Sequence, residues 1–462
     1  MRVTPRLVAV NVLLGTLTVS LNNSSLNPAL PAFIAAFSLG PVSASWIVAA
    51  FMASMGLTMP LTGYLSQRLG RKLLYLAALA LFVAGSLGGA LATSIGGVIA
   101  ARVVQGIASG LMIPLALAII FSVYAKEERG RVTGWWAAAV MLAPALGPLL
   151  GSLVLSWFDW RALFLINVPV GMLALLMGVW GLPSSTAAAG KTFDGVGYLL
   201  VACGIGLLLL LCGRLHQLSA LREPLNLLML LGALLCLAQF VRHALRVPEP
   251  LLNLRLFALR DYRLSVLVAV VQAVGMFECL VLLPLLVQMV LGYAPIYTGL
   301  ALLGTALFAS LFGQFGGRIL DRHGPRTLVL TGMLLTGTAT LGLGLLGNGS
   351  ALWPVFALMI LRGAGLGLSY MPVTTAGLNA LPEDMVTQGA AMNNISRRLT
   401  SSLAIVLASL WLQYRLAGST DYAAAVSETF IATGLLILLT APCAWRFSRV
   451  EKLAADKAPN FH

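Results

Sequence analysis

The chain has 462 residues, 59% of them hydrophobic and only 10% charged, with a mean hydropathy of +0.94. A soluble domain carries about 25% charged residues, so a soluble enzyme is excluded and an all-α polytopic membrane protein is expected. The net charge of +14 would suit nucleic acid, but the basic residues fall at alternate ends of apolar runs, which excludes that partner.

Arg2 and Arg6 precede the first apolar run as in a signal peptide, but no cleavage site follows and a retained first helix is expected. A helix needs about 20 apolar residues to cross the bilayer. At that length the sequence predicts about 14 spans, near 7–36, 44–65, 73–94, 97–124, 132–157, 161–182, 195–213, 225–245, 263–291, 297–317, 326–348, 351–380, 386–414 and 424–447. With the N-terminus inside, about 21 Lys and Arg lie on the cytoplasmic side. Arg161, Arg214, Arg222 and Arg415 lie outside, and Arg102, Arg362, Arg397 and Arg398 within spans. This bias is the positive-inside rule and puts both termini in the cytoplasm.

Between the second and third spans stands Gly63-Tyr64-Leu65-Ser66-Gln67-Arg68-Leu69-Gly70-Arg71-Lys72. It returns 254 positions later as Gly317-Arg318-Ile319-Leu320-Asp321-Arg322-His323-Gly324-Pro325-Arg326. Gly106 and Gly110 are echoed by Gly363 and Gly367 at an offset of 257, a spacing of small residues that lets helices approach closely in lipid. A repeat at half-chain distance predicts two similar six-helix bundles. They are expected at 1–182 and 260–462. Residues 183–259, a Ser/Ala linker and two extra helices without counterpart, form an insertion. The five cysteines read as packing residues, the four histidines have no metal-ligand spacing, and no cofactor is expected.

Charged groups at bilayer depth cost about 2.5–3.5 kcal/mol on insertion scales and need a reason. Glu278 lies about 15 residues into its span, roughly 22 Å from the cytoplasmic end. It is a candidate proton carrier; the plainer reading is a protonated acid bonded to a neighbouring helix. Arg397 and Arg398 lie about 17 Å into theirs and point about 100° apart. Either could pair with Glu278, bind an anion, or bond backbone carbonyls. Glu428, beside Asp421, reads as a solvated helix start.

Asn22, Asn23, Ser24, Ser25 and Asn27 form an uncharged polar run that either contacts substrate or holds helices together. Gln105, Gln272, Asn393, Asn394 and Arg398 are further candidates for substrate contact. Gly147, Pro148 and Gly151 predict a bend and a close helix approach.

These residues together resemble the major facilitator superfamily, and within it the 14-helix drug:proton antiporters. Gly63, Arg68, Gly70 and Arg71 match the cytoplasmic loop motif, with Gly317, Asp321, Arg322 and Gly324 as its second copy. Arg102 to Gly110 matches the helix 4 motif, and Pro144 to Gly151 the antiporter motif of helix 5. Trp160-Arg161 with Phe164 and Asn167, Phe193-Asp194 with Gly197, and Gly389 with Asn393-Asn394 and Arg397 are typical of the 14-helix branch. The resemblance implies a major facilitator fold of two six-helix bundles plus two additional helices, working by alternating access around a central cavity. It implies proton-driven export of a small amphipathic molecule, with protons as coupling ion and Arg102 in the relay. Arg102 with Glu278, singled out by its depth, and Arg397, which matches the family Arg, forms the expected coupling set.

Two departures stand out. The family's first helix usually carries an Asp where this chain has Asn22, and its loop Asp is Gln67 in the first copy. Four arginines against two acids in the spans leave room for neutral, zwitterionic or anionic substrates. An uptake symporter or a lipid flippase would share the fold; a membrane enzyme would need a catalytic constellation that the sequence lacks. The expected setting is the bacterial cytoplasmic membrane, with membrane lipids around the chain and a periplasmic adaptor as a candidate partner, otherwise a monomer.

Overall fold

Lipid offers no hydrogen bonds, so an apolar run in a membrane satisfies its own backbone by closing into a helix. The computed structural model describes residues 4–124, 146–183, 193–215, 220, 222–248, 250–323, 325–382, 385–418 and 421–447, and no strand occurs among them. Twelve described helices are long and apolar enough to cross a membrane, or thirteen if one bent pair is counted as a span. The fourteenth expected span, 132–157, begins outside the described residues; its described part is an apolar helix over Leu146–Trp157.

The chain divides into two units. The first comprises Met1–Phe193 with Val287–Met289 and Tyr293–Leu303. Its helices are α1 (Pro5–Ser25), α2 (Leu30–Phe37), α3 (Pro41–Thr58), α4 (Leu61–Leu69), α5 (Arg71–Ala90), α6 (Ile95–Val123), α7 (Leu146–Trp157), α8 (Ala162–Leu165) and α9 (Asn167–Gly181). A 3-10 turn at Asn27–Ala29 joins α1 to α2. The span expected to run straight through 44–65 instead bends by 58° between α3 and α4, where Pro60 withholds a backbone donor. Val12, Tyr75, Phe82, Met112 and Ile119 are among the residues that make the core of α1, α5 and α6. Toward the other end, Trp160 packs on Phe33 and Phe37 with ring centroids 4.8 and 5.5 Å apart.

The second unit comprises Asp194–Leu286, Val290–Gly292 and Gly304–His462. Its helices are α10 (Gly195–Arg214), α11 (Pro224–Arg246), α12 (Arg260–Pro284), α13 (Pro295–His323), α14 (Pro325–Gly344), α15 (Trp353–Asn379), α16 (Val386–Gly418) and α17 (Tyr422–Thr440). The start of α13 clusters with the first unit. α12 runs into one π-helical turn, Leu285–Val290. The inserted α10 and α11 pack on each other. Only 17% of the α11 span is buried, and Leu228, Leu231 and Leu235 stand open on it, as suits a lipid-facing helix. Asp194 caps α10 by accepting from the Gly197 amide at 2.8 Å. It also accepts from the Leu251 amide at 3.0 Å and lies 2.6 Å from His243 Nε2. Burial raises this carboxyl, but the two amides and His243 outweigh it and hold the group below its ordinary range.

The glycine echo has a common structural cause. A Cβ on Gly110 would meet Met55 O of α3 at 2.7 Å, and one on Gly367 would meet Gly313 N of α13 at 2.8 Å. The two pairs of small residues seat α6 on α3 and α15 on α13 in the same way.

Candidate functional site

Each unit carries its own buried polar cluster. In the first, Arg102 of α6 is 1% exposed and forms no ion pair with an acid among the described residues. Its Nη1 donates to Asn22 Oδ1 at 2.7 Å and Gln105 Oε1 at 2.9 Å, and its Nε to Ile47 O at 2.9 Å. Its Cζ lies 4.1 Å from the centroid of the Phe51 ring. Gln105 in turn donates to Ser86 at 2.9 Å. Neutral oxygens and a ring face therefore surround a guanidinium, a favourable but weaker arrangement than a carboxylate would supply.

Among the described residues Asn22 Nδ2 and both amide atoms of Asn27 find no partner, and Asn23 is half-buried. Ser24 and Ser25 lie against α7. A Cβ on Gly147 would strike Ser24, and one on Gly151 would strike the Ser25 backbone, so those glycines are what lets α7 touch α1. Pro148 O accepts from Ser152 at 2.7 Å.

At the loop motif, Gly70 has φ +80° and ψ 149°, and Arg68 lies over the Tyr64 ring at 5.2 Å. Arg71 reaches Ala118 O at 3.4 Å and Lys72 reaches Leu182 O at 2.9 Å, so the basic residues hold the carbonyls of α6 and the end of α9. In the second copy, Gly317, Asp321 and Arg322 fall in the last turns of α13, where side chains are not described, and Gly324 lies outside the described residues.

In the second unit Glu278 of α12 is 7% exposed, the one acid buried within a span among the described residues. Thr433 of α17 lies 2.6 Å from Glu278 Oε2 and 2.9 Å from Thr429 O. A hydroxyl has one proton and can serve one of these acceptors at a time. Directed at the carboxylate, it satisfies the ionised acid; directed at Thr429 O, it leaves its oxygen free to accept from a protonated Glu278. Either protonation state of Glu278 finds a partner without backbone movement. The cationic neighbour of Glu278 is Arg362, which donates to Gly275 O at 2.6 Å.

Arg397 bonds Asn394 Oδ1 at 2.6 Å and lies over the Tyr370 ring at 4.8 Å. The expected pairing of Glu278 with Arg397 or Arg398 is not made, because Glu278 points to α15 and α17 and not to α16. Gln272 donates to Ser369 at 2.5 Å, and its Oε1 lacks a partner. Both amide atoms of Asn393 lack one too. Glu428 pairs with Arg415 at 2.6 Å near the surface, while Asp421 caps α17 at the Ala424 amide. Sequence reasoning missed Thr433, a single hydroxyl in an apolar run, and gave Arg362 no role beyond its place within a span.

The profile of the Major Facilitator Superfamily matches residues 12–405. The multidrug resistance protein B homolog of Mycobacterium tuberculosis is 28% identical over 83% of this chain and 72% of its own. The multidrug export protein EmrB of Escherichia coli is 26% identical over 86% and 78%. The crystal structure of a D-xylose–proton symporter superposes with a TM-score of 0.67 at 17% identity, covering 96% of this chain and 97% of that one. That last likeness is one of fold.

Proposed function

Because the chain belongs to the major facilitator superfamily, we propose that it exports small amphipathic compounds from the cytoplasm in exchange for protons, by alternating access. It is a multi-pass membrane protein of a transporter family. The observation that carries the coupling reading is Glu278, a buried acid whose partner Thr433 can serve it in both protonation states. The multidrug names of the mycobacterial and Escherichia coli relatives support export over uptake. One proton entering the cell gains about 2.3 kcal/mol per 100 mV, enough to hold a neutral solute at a gradient of about fiftyfold.

In this reading Glu278 carries the proton, Arg362 sets its electrostatic surroundings, and Arg102 with Asn22 and Gln105 is a fixed polar core of the first unit. Residues 1–182 and 260–462 act as the two halves, with 183–259 inserted. The bias of Lys and Arg toward one set of loops supports an orientation with both termini inside, in a bacterial cytoplasmic membrane.

The test uses proteoliposomes with a trapped pH dye and a chemically varied panel of compounds. The wild type moves protons in response to some of them. Glu278→Gln loses uphill movement of those compounds yet still exchanges them downhill. Uphill transport by this variant at the wild-type rate refutes the assignment of the proton to Glu278.

A further inference from the structure

α16 carries a stripe of buried polar groups left without partners. Asn393, Arg397 and Ser401 follow one another at four-residue spacing and share one face of the helix. They are 1%, 9% and 0% exposed. Among the described residues, both amide atoms of Asn393, Nη1 of Arg397 and the Ser401 hydroxyl find no hydrogen-bond partner. The adjacent Arg398 leaves its Nε and Nη1 unsatisfied as well.

The other two arginines within spans are better provided for. Arg102 has three neutral acceptors and a ring face. Arg362 bonds a carbonyl and stands beside Glu278. Arg397 has one neutral acceptor, Asn394, and the Tyr370 ring. No ion pair among the described residues includes Arg397 or Arg398. Two like charges thus stand on adjacent residues with open N–H donors, Arg397 buried and Arg398 half-buried. A cation in such surroundings needs a counter-charge, and a guanidinium fork is built to receive an oxyanion through two parallel hydrogen bonds.

We propose that Arg397 and Arg398, with Asn393 and Ser401, bind the anionic head of the transported compound, a carboxylate or similar organic oxyanion. This rests on the export reading and narrows its substrates to amphipathic anions. A phospholipid headgroup offers the same oxyanion chemistry, so the test must tell the two sources apart.

The full-length protein in phosphatidylcholine nanodiscs is titrated, at one pH and with no gradient, with three probes that share a naphthyl body. These are naphthylacetate, naphthylacetamide and naphthylmethyl-trimethylammonium. The carboxylate is expected to bind at least about tenfold tighter than the amide, with the cation weakest. Arg397→Gln and Arg398→Gln each remove most of that preference, and Arg397→Lys and Arg398→Lys keep part of it, because the charge stays and the fork is lost. Should the Gln variants not fold, the wild-type series and the Lys variants still decide. Equal affinity for the three heads overturns the proposal, as does a preference that both Gln variants retain. Phosphatidylglycerol that stays bound through purification in the wild type, is lost from the Gln variants, and coincides with no carboxylate preference also overturns it. Since no gradient is applied, failure here is distinct from failure of the export reading. Carboxylate preference without proton flux sinks the coupling alone; proton flux driven by cations sinks the anion site alone.

Discussion

Asn22 and Glu278 show how differently a single residue can be read. The cost of a charge in lipid singled out Glu278 by depth alone. Depth carries no direction, and the partners Thr433 and Arg362 come from how α12, α15 and α17 are rotated, which no residue spacing records. Asn22 was legible as a departure from the family's Asp, and its geometry adds that Arg102 is still aimed at it. Asn22→Asp would turn a charged–neutral hydrogen bond at 2.7 Å into an ion pair around a guanidinium that pairs with no acid among the described residues. The wild-type bond already has a charged donor, so the gain comes from giving Arg102 a counter-charge and removing the unpartnered Asn22 Nδ2 donor, offset in part by the cost of burying the carboxylate. The variant should therefore be more stable than the wild type near neutral pH, by on the order of 1 kcal/mol, whereas Asn22→Ala should be less stable. Thermal unfolding of the three proteins in one detergent checks the order; an Asn22→Asp protein that melts well below the wild type contradicts it.

At the level of elements, glycines that look alike in the repeat do unlike work. Gly63 lies within α4 and a Cβ there would meet nothing within 4 Å. Gly70 ends that helix at φ +80° and ψ 149°, a conformation that side-chain-bearing residues avoid. Gly70→Ala should destabilise the protein by about 1–3 kcal/mol, and Gly63→Ala should be neutral or stabilise it by up to about 1 kcal/mol through helix propensity. Paired melting curves separate the two, and equal effects would show that the turn does not impose the strain. The repeat itself disclosed the turn and the close pairs Gly106–Gly110 and Gly363–Gly367, because short spacings translate directly into helix contact. The 58° bend between α3 and α4 was not anticipated although Pro60 stood in the run, because a hydropathy window counts apolar residues and is blind to a missing backbone donor.

For the whole molecule, composition alone excluded a soluble protein, and hydropathy located every described span to within a few residues. Orientation rests on a different quantity, the distribution of Lys and Arg. Arg71 and Lys72 hold carbonyls of α6 and the end of α9 through some of their donors and Arg68 lies over the Tyr64 ring, but Arg68 and Arg71 are exposed, so these charges remain available to the headgroup region. Arg161, by contrast, is paired with Asp159 at 2.7 Å and stacked on Trp160 at 4.4 Å, which reduces the net charge of the loop expected outside. The positive-inside rule counts Lys and Arg and gives acids little weight, so the asymmetry is the one the raw sequence shows. A C-terminal green fluorescent protein should accordingly be fluorescent, and alkaline phosphatase fused after Asp159 should be active while the same enzyme fused after Lys72 is not. The reverse pattern would turn the chain over in the membrane and move Glu278 from beyond mid-membrane to the cytoplasmic side of it; an exchanger would still couple inward protons to export, but Glu278 would then load its proton across the longer path from outside.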